Sequence, residues 1–295
     1  MNYGNESFAD MTKANQLSCD ENQHELNISI LRSITIEPIE VPLTFYARQF
    51  GYKTNVTFGN FNNILQDSLD SSIINKQTNI ALIISPLKAL APKIIDEFTS
   101  SSKNEIEGLR LLILDIVQST ISNIKTANQN TKIIWLSFES PCFPSYGIND
   151  SNLSYGQTQF INNLNHSIAT ILSNEANCFH LNADQILRQL GEENFYDWRY
   201  WHIGKALYSR KTLAKIAQQM QSIYNTFTGK TKKCLVLDCD NTLWGGVIGE
   251  DGIAGIKLSN SYPGSCYQEF QQAIVDLRHR GVIIALCSKN NEQDI

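Results

Sequence analysis

The sequence has no basic excess, no CxxC spacing and no long apolar run, and each absence removes a class of protein. Lys and Arg number 24 against 29 Asp and Glu, a net charge of -5 with no long basic run. A nucleic-acid surface needs clustered cations to displace the counterions of phosphates, so nucleic acid is not an expected partner. The 7 cysteines are odd in number and scattered, which indicates neither a disulfide framework nor a zinc site and points to reduced thiols in a cytoplasmic setting. No window approaches the roughly 18 consecutive apolar residues of a membrane-spanning helix, so a soluble chain without membrane contact is expected. Proline is scarce, with 7 residues, beside 16 Gly and 42% hydrophobic residues. That is an ordinary globular composition able to support sizeable cores.

A chain of 295 residues is long enough for two domains. Residues 1–26 are polar and acidic, without the apolar stretch of a signal peptide, and read as a flexible tail. Beyond them, short β-branched runs alternate with helix-period segments. Asn27–Leu31, Thr54–Phe58, Asn79–Ile84, Lys132–Phe138 and Cys178–Leu181 have the composition of strands. Val41–Phe50, Ile106–Ile124 and Gln159–Leu172 carry helical stripes. Strands joined by crossover helices predict a mostly parallel sheet covered on both faces. Ser209 can cap a helix with Leu213, Ile216, Met220, Ile223 and Phe227 at helical spacing, and Gly229 stands where it should stop. The spacing therefore predicts one α/β domain over 27–229 and a second over 230–295. The second opens on a βαβ unit: a strand at Lys233–Leu237, a helix over Gly264–His279 and a strand at Val282–Cys287.

At the first of these strand ends stand Asp238 and Asp240, two residues apart after an apolar run. Ligands of open parallel sheets bind beyond the carboxyl ends of the strands. Two close carboxylates repel unless a cation lies between them, and oxygen ligation suits Mg²⁺. The other reading of a bare Asp-x-Asp is a pair of loop acids capping turns. The context here is fuller: Thr242 follows the pair, and Ser288 ends the next parallel strand, where its hydroxyl can reach a phosphate oxygen.

In these residues the chain resembles the haloacid-dehalogenase superfamily, whose first motif is Asp-x-Asp-x-Thr and whose second is a Ser or Thr ending a hydrophobic strand. The run from Leu237 to Gly252, which contains Trp244-Gly245-Gly246, together with Cys287-Ser288-Lys289-Asn290-Asn291-Glu292, is similar to the FkbH-like proteins of that superfamily. The resemblance implies a Rossmann-type phosphatase core with Asp238 as nucleophile and Asp240 as acid/base. It further implies Mg²⁺ held by Asp238 and the backbone carbonyl of Asp240, Thr242 and Ser288 on the phosphoryl group, and Trp244, Gly245 and Gly246 as a flap. Gly-Gly is also hairpin chemistry and a neighbouring Trp is also a packing residue. For such proteins the implied substrate is a phosphorylated glyceryl unit to be loaded onto an acyl carrier protein, in secondary-metabolite or polysaccharide biosynthesis. A carrier-binding scaffold without a working site is the alternative. The superfamily also uses a Lys or Arg and a further acidic metal ligand on later strands, which the 7 residues after Ser288 do not reach, and Lys289 adjoins Ser288 too closely to substitute. The core is thus expected to be truncated at its C-terminus and to turn over weakly on its own.

The region before this motif in FkbH-like proteins resembles the SGNH hydrolases, three-layer α/β/α domains with a Ser after the first strand and an Asp-x-x-His near the end. Ser33 occupies the place of that Ser, and Asp197 and His202 the places of the acid and base. Leu31-Arg32 replaces the usual Gly-Asp, and four residues separate Asp197 from His202 instead of two. Esterase activity is a further reading. The other is that Ser33 ends a strand and Trp198, Arg199 and Trp201 form a packed turn or a docking surface. Cys142 reads as a buried small hydrophobe, and His24, His166, His180 and His279 have no metal-ligand spacing.

Overall fold

A computed structural model describes residues 6–17 and 23–289. The chain divides into two compact units, one ending at Phe227 and one beginning at Thr228.

The first unit is built on five parallel strands, β1 His24–Arg32, β2 Tyr52–Phe61, β3 Ile80–Ile84, β4 Lys132–Leu136 and β5 Cys178–Leu181, in the order β2-β1-β3-β4-β5. Because side chains alternate across a strand, β3 sends Ile80, Leu82 and Ile84 to one core and Ala81 and Ile83 to another. All five are fully buried, as a sheet covered on both faces requires. One core takes the helices Glu40–Arg48, Ala183–Leu190 and Arg210–Phe227, the other Lys103–Ala127 and Gln157–Ser173. The expected helix-covered parallel sheet is therefore present, and each expected strand coincides with an observed one.

Local chemistry sets the ends. Ser102 and Glu105 form a reciprocal capping box, with the Ser102 hydroxyl accepting from the Glu105 amide at 3.3 Å and the Glu105 carboxylate accepting from the Ser102 amide at 2.9 Å. Ser209 caps its helix as predicted, its hydroxyl accepting from the Thr212 amide at 3.2 Å. The expected loose tail over residues 1–26 is corrected in part: Phe8–Gln16 is a helix with its own Ser7/Asp10 capping box. Its Met11 is buried in the first core, and Arg48 ties its end down by donating to the Ala14 and Asn15 carbonyls. β1 also begins earlier than expected, at His24.

The second unit carries β6 Cys234–Leu237 and β7 Ile283–Leu286, paired in parallel, with the crossover helix Gly264–His279 between them in sequence. Leu237, Cys239, Leu243, Trp244 and Ile274 form its small core. No helix among the described residues is long and apolar enough to cross a membrane.

Candidate active site

In the second unit the register pairs Leu237 with Leu286, and the ladder runs one step further, the Cys287 amide donating to the Leu237 carbonyl at 2.8 Å. The carboxyl ends of β6 and β7 thus lie side by side. Asp238 is the first residue past β6 and is exposed; Cys239 beneath it is fully buried, and Asp240 is half-buried. Ser288, half-buried, is the second residue past β7. Thr242 lies in the turn that leaves β6, its amide donating to the Cys239 carbonyl at 3.2 Å. Asn290, Asn291 and Glu292 fall outside the described residues.

Asp240 is the most constrained of these groups. Its Oδ1 accepts from Trp244 Nε1 at 3.1 Å and from the Ile248 amide at 3.1 Å. Charge-assisted bonds of this kind are about twice as strong as neutral ones. The Ile248 contact has no side-chain signature, and sequence reasoning did not find it. Trp244 is buried within the apolar core of the unit, so its ring is a packing element whose indole N–H serves the acid.

Gly245 and Gly246 close the loop from below. Gly245 pairs with Lys257, its amide donating at 3.2 Å, and a Cβ there would meet the Tyr267 ring at 2.9 Å. Gly246 has φ +101, open to glycine alone in practice, and its amide donates to Asn241 Oδ1 at 2.9 Å. Asp251, also unforeseen, steadies the next turn by accepting from the Val247 amide at 2.9 Å.

Two carboxylates and backbone carbonyls are hard oxygen donors, and Mg²⁺ is commonly held through one or two carboxylates with waters completing its shell. The donor set fits that ion. No cluster of three or more His, Cys, Asp or Glu suited to a metal occurs among the described residues.

Ser33 and Asp197, two of the residues proposed for an esterase, have hydrogen-bond partners outside that set. Ser33 is 1% exposed, and its hydroxyl shares a 2.7 Å hydrogen bond with Ser85 Oγ at the carboxyl ends of β1 and β3. Asp197 caps the short helix Trp198–Gly204, accepting from the Tyr200 amide at 3.1 Å, while His202 is exposed on that helix. No hydrogen bond links Ser33, Asp197 and His202 among the described residues. A serine nucleophile needs its base within hydrogen-bond reach. Ser33→Ala is therefore expected to leave p-nitrophenyl acetate cleavage unchanged; a loss of rate on that substitution would restore the esterase reading.

The chain matches no protein-family model and no curated protein. Among solved structures it is similar to the N-terminal part of a Bacteroides fragilis protein containing a phosphatase domain complexed with Mg. That match has a TM-score of 0.83 and 22% identity, over 98% of this chain and 75% of the other. The likeness is one of fold. A family 3 carbohydrate esterase from Clostridium thermocellum matches at a TM-score of 0.44 with 12% identity, over 70% of this chain and 96% of the other. A GDSL-like lipase from Bacteroides thetaiotaomicron matches at 0.36 with 12% identity, over 76% and 99%. Neither likeness is close enough to bear on fold or function.

Proposed function

We propose that the unit beginning at Thr228 is a Mg²⁺-dependent phosphatase or phosphotransferase of the haloacid-dehalogenase type. The observation that carries the reading is the double N–H restraint on Asp240, two residues beyond Asp238 at a strand end that abuts the one carrying Ser288. The fold likeness to a phosphatase-containing protein complexed with Mg supports it.

In this reading an Asp238 carboxylate oxygen attacks phosphorus while the bond from phosphorus to the leaving alcohol oxygen breaks. Asp240 gives its proton to that oxygen. Asp240 then takes a proton from water as the water oxygen attacks the aspartyl-phosphate, which releases inorganic phosphate and regenerates Asp238. The Thr242 and Ser288 hydroxyls donate to the phosphoryl oxygens, since positioning and charge stabilisation dominate this chemistry. Mg²⁺, held by Asp238 and the backbone carbonyl of Asp240, would neutralise phosphoryl charge. At the finest level the reading is FkbH-like, with a phosphorylated glyceryl compound as substrate and an acyl carrier protein as acceptor.

Phosphate release from such a compound is expected to require Mg²⁺, to stop on EDTA and to return with added MgCl₂; release that ignores EDTA would sink the proposal. Trp244→Phe keeps the buried ring but removes one donor from Asp240. A hydrogen bond to a charged group contributes about 1.5–3 kcal/mol, so kcat should fall about tenfold or more with KM little changed. An unchanged kcat would show that the indole N–H does not position the acid.

The second reading is a carrier-binding scaffold with an idle site. Under it, Asp238→Asn would leave partner binding intact and there would be no turnover to lose.

A further inference from the structure

In the first unit a cleft of about 260 Å³ opens beside the carboxyl ends of β3 and β4, lined by Leu87, Glu139, Glu192, Tyr196 and Trp198 among others. This is where open parallel sheets place ligands, and no part of the chemistry proposed for the second unit uses it. Glu139 forms the floor. It is 8% exposed, its Oε2 accepts from the Tyr208 hydroxyl at 3.1 Å, and the Tyr196 hydroxyl also interacts with its carboxyl.

The lining is unbalanced in charge. Lys88 is its one basic residue and is already paired with Asp96, which leaves Glu139 and Glu192 without a cationic counterpart among the lining residues. For Glu139, which is buried, a charge lacking such a partner is costly, whereas Glu192 is only half-buried. The thiol of Cys142 at the rim feels the result: partial desolvation of the sulfur first, then Glu192, Asp184 and Glu139, push it up, although the residue as a whole is exposed. Cys142, expected to be a buried hydrophobe, is in fact exposed, because Pro141-Cys142 has left β4 for a surface loop.

The walls are aromatic. Tyr196 and Trp198 stack with centroids 4.7 Å apart and an interplanar angle of 34°, with Trp198 45% exposed, and Phe143 stands at the mouth, 83% exposed. Burial holds the Glu139 proton more tightly than usual, but an ammonium group seated beside it would favour the carboxylate. A carboxylate under the part-exposed Tyr196 and Trp198 rings is the recognition chemistry of such groups. The volume lies just below the roughly 300–1,000 Å³ of drug-sized pockets, which limits the guest to a few heavy atoms.

We propose that this cleft binds a small organic cation, an ammonium compound whose charged head lies against Glu139 and whose substituents meet the Tyr196 and Trp198 rings. Choline serves as the probe, and 3,3-dimethylbutan-1-ol, which has the same shape and no charge, as the control. Calorimetric titration of the whole chain should show saturable choline binding and none of the neutral alcohol. Glu139→Gln should weaken choline binding by about tenfold or more, and Trp198→Ala, a half-exposed site whose change leaves the core intact, by about fivefold, in line with one ion pair and one cation–π contact. Absence of saturable choline binding would overturn the proposal. So would equal binding of the alcohol, or a choline affinity that neither substitution alters.

Discussion

Asp238→Asn should abolish the weak Mg²⁺-dependent phosphate release expected of this chain, taking it to the uncatalysed background, because loss of the attacking group removes the covalent route outright. Asparagine keeps the shape of the side chain and the exposed position past β6, so the fold of the unit and its melting behaviour should not change. The same substitution should eliminate labelled phosphate retained on the protein after an acid quench. Asp240→Asn provides the contrast. It leaves a nucleophile that can still be phosphorylated by an activated donor such as acetyl phosphate, but it removes the base that activates water, so label should accumulate. Retention of full phosphatase activity by Asp238→Asn would end the proposal for this unit.

Glu139 gives the second large effect, on stability. Burial, the leading cause, and the nearby Asp184 charge push its carboxyl up from 4.5 to about 7, against the lowering influence of its hydrogen bonds, including that from Tyr208. Below pH 4.5 the folded and unfolded chains both bind the proton and the group makes no difference between them. As pH rises from 4.5 to 7 the unfolded chain releases its proton first, so the folded state loses relative stability, and the loss levels off above pH 7. A displacement of that size corresponds to about 3 kcal/mol. Besides Asp184, the titratable groups around it are Tyr196, Tyr208 and Cys142, these three all pushed up mainly by desolvation, so none of the three ionises in the folded state across this window. In urea titrations the stability of the wild type relative to Glu139→Gln should therefore fall by about 3 kcal/mol between pH 4 and pH 8. A difference constant over that range would show that the carboxyl titrates alike in the folded and unfolded chains.

The sheet of the first unit was readable because its strands are apolar β-branched runs buried on both faces, and that pattern has few other structural outcomes. β3, with five consecutive apolar residues from Ile80 to Ile84, is the clearest case. The Phe8–Gln16 helix was not readable: only Met11 among its residues is buried, and one apolar contact gives no periodicity. In the second unit the motif located Asp238, Asp240 and Ser288, but the sequence held no sign of the Ile248 amide, since backbone donors are invisible to residue identity. The Glu139 cluster went unseen for a related reason. Its partner Tyr208 lies 69 residues away, and no local spacing announces such a pairing. An acid three residues after β4 was the available signal, weaker than the one that had singled out Asp238 directly after β6.

The restraint on Asp240 reaches beyond holding an acid in place. With one carboxylate oxygen gripped by an indole and a backbone amide at once, turning the group about its last torsion would break both contacts together. The plane of the carboxylate is thereby fixed before any substrate arrives. Under the proposed function, a leaving oxygen and an incoming water would then have to approach it from one side, and a phosphate ester whose bulk blocked that approach would be rejected by direction of access, whatever its affinity.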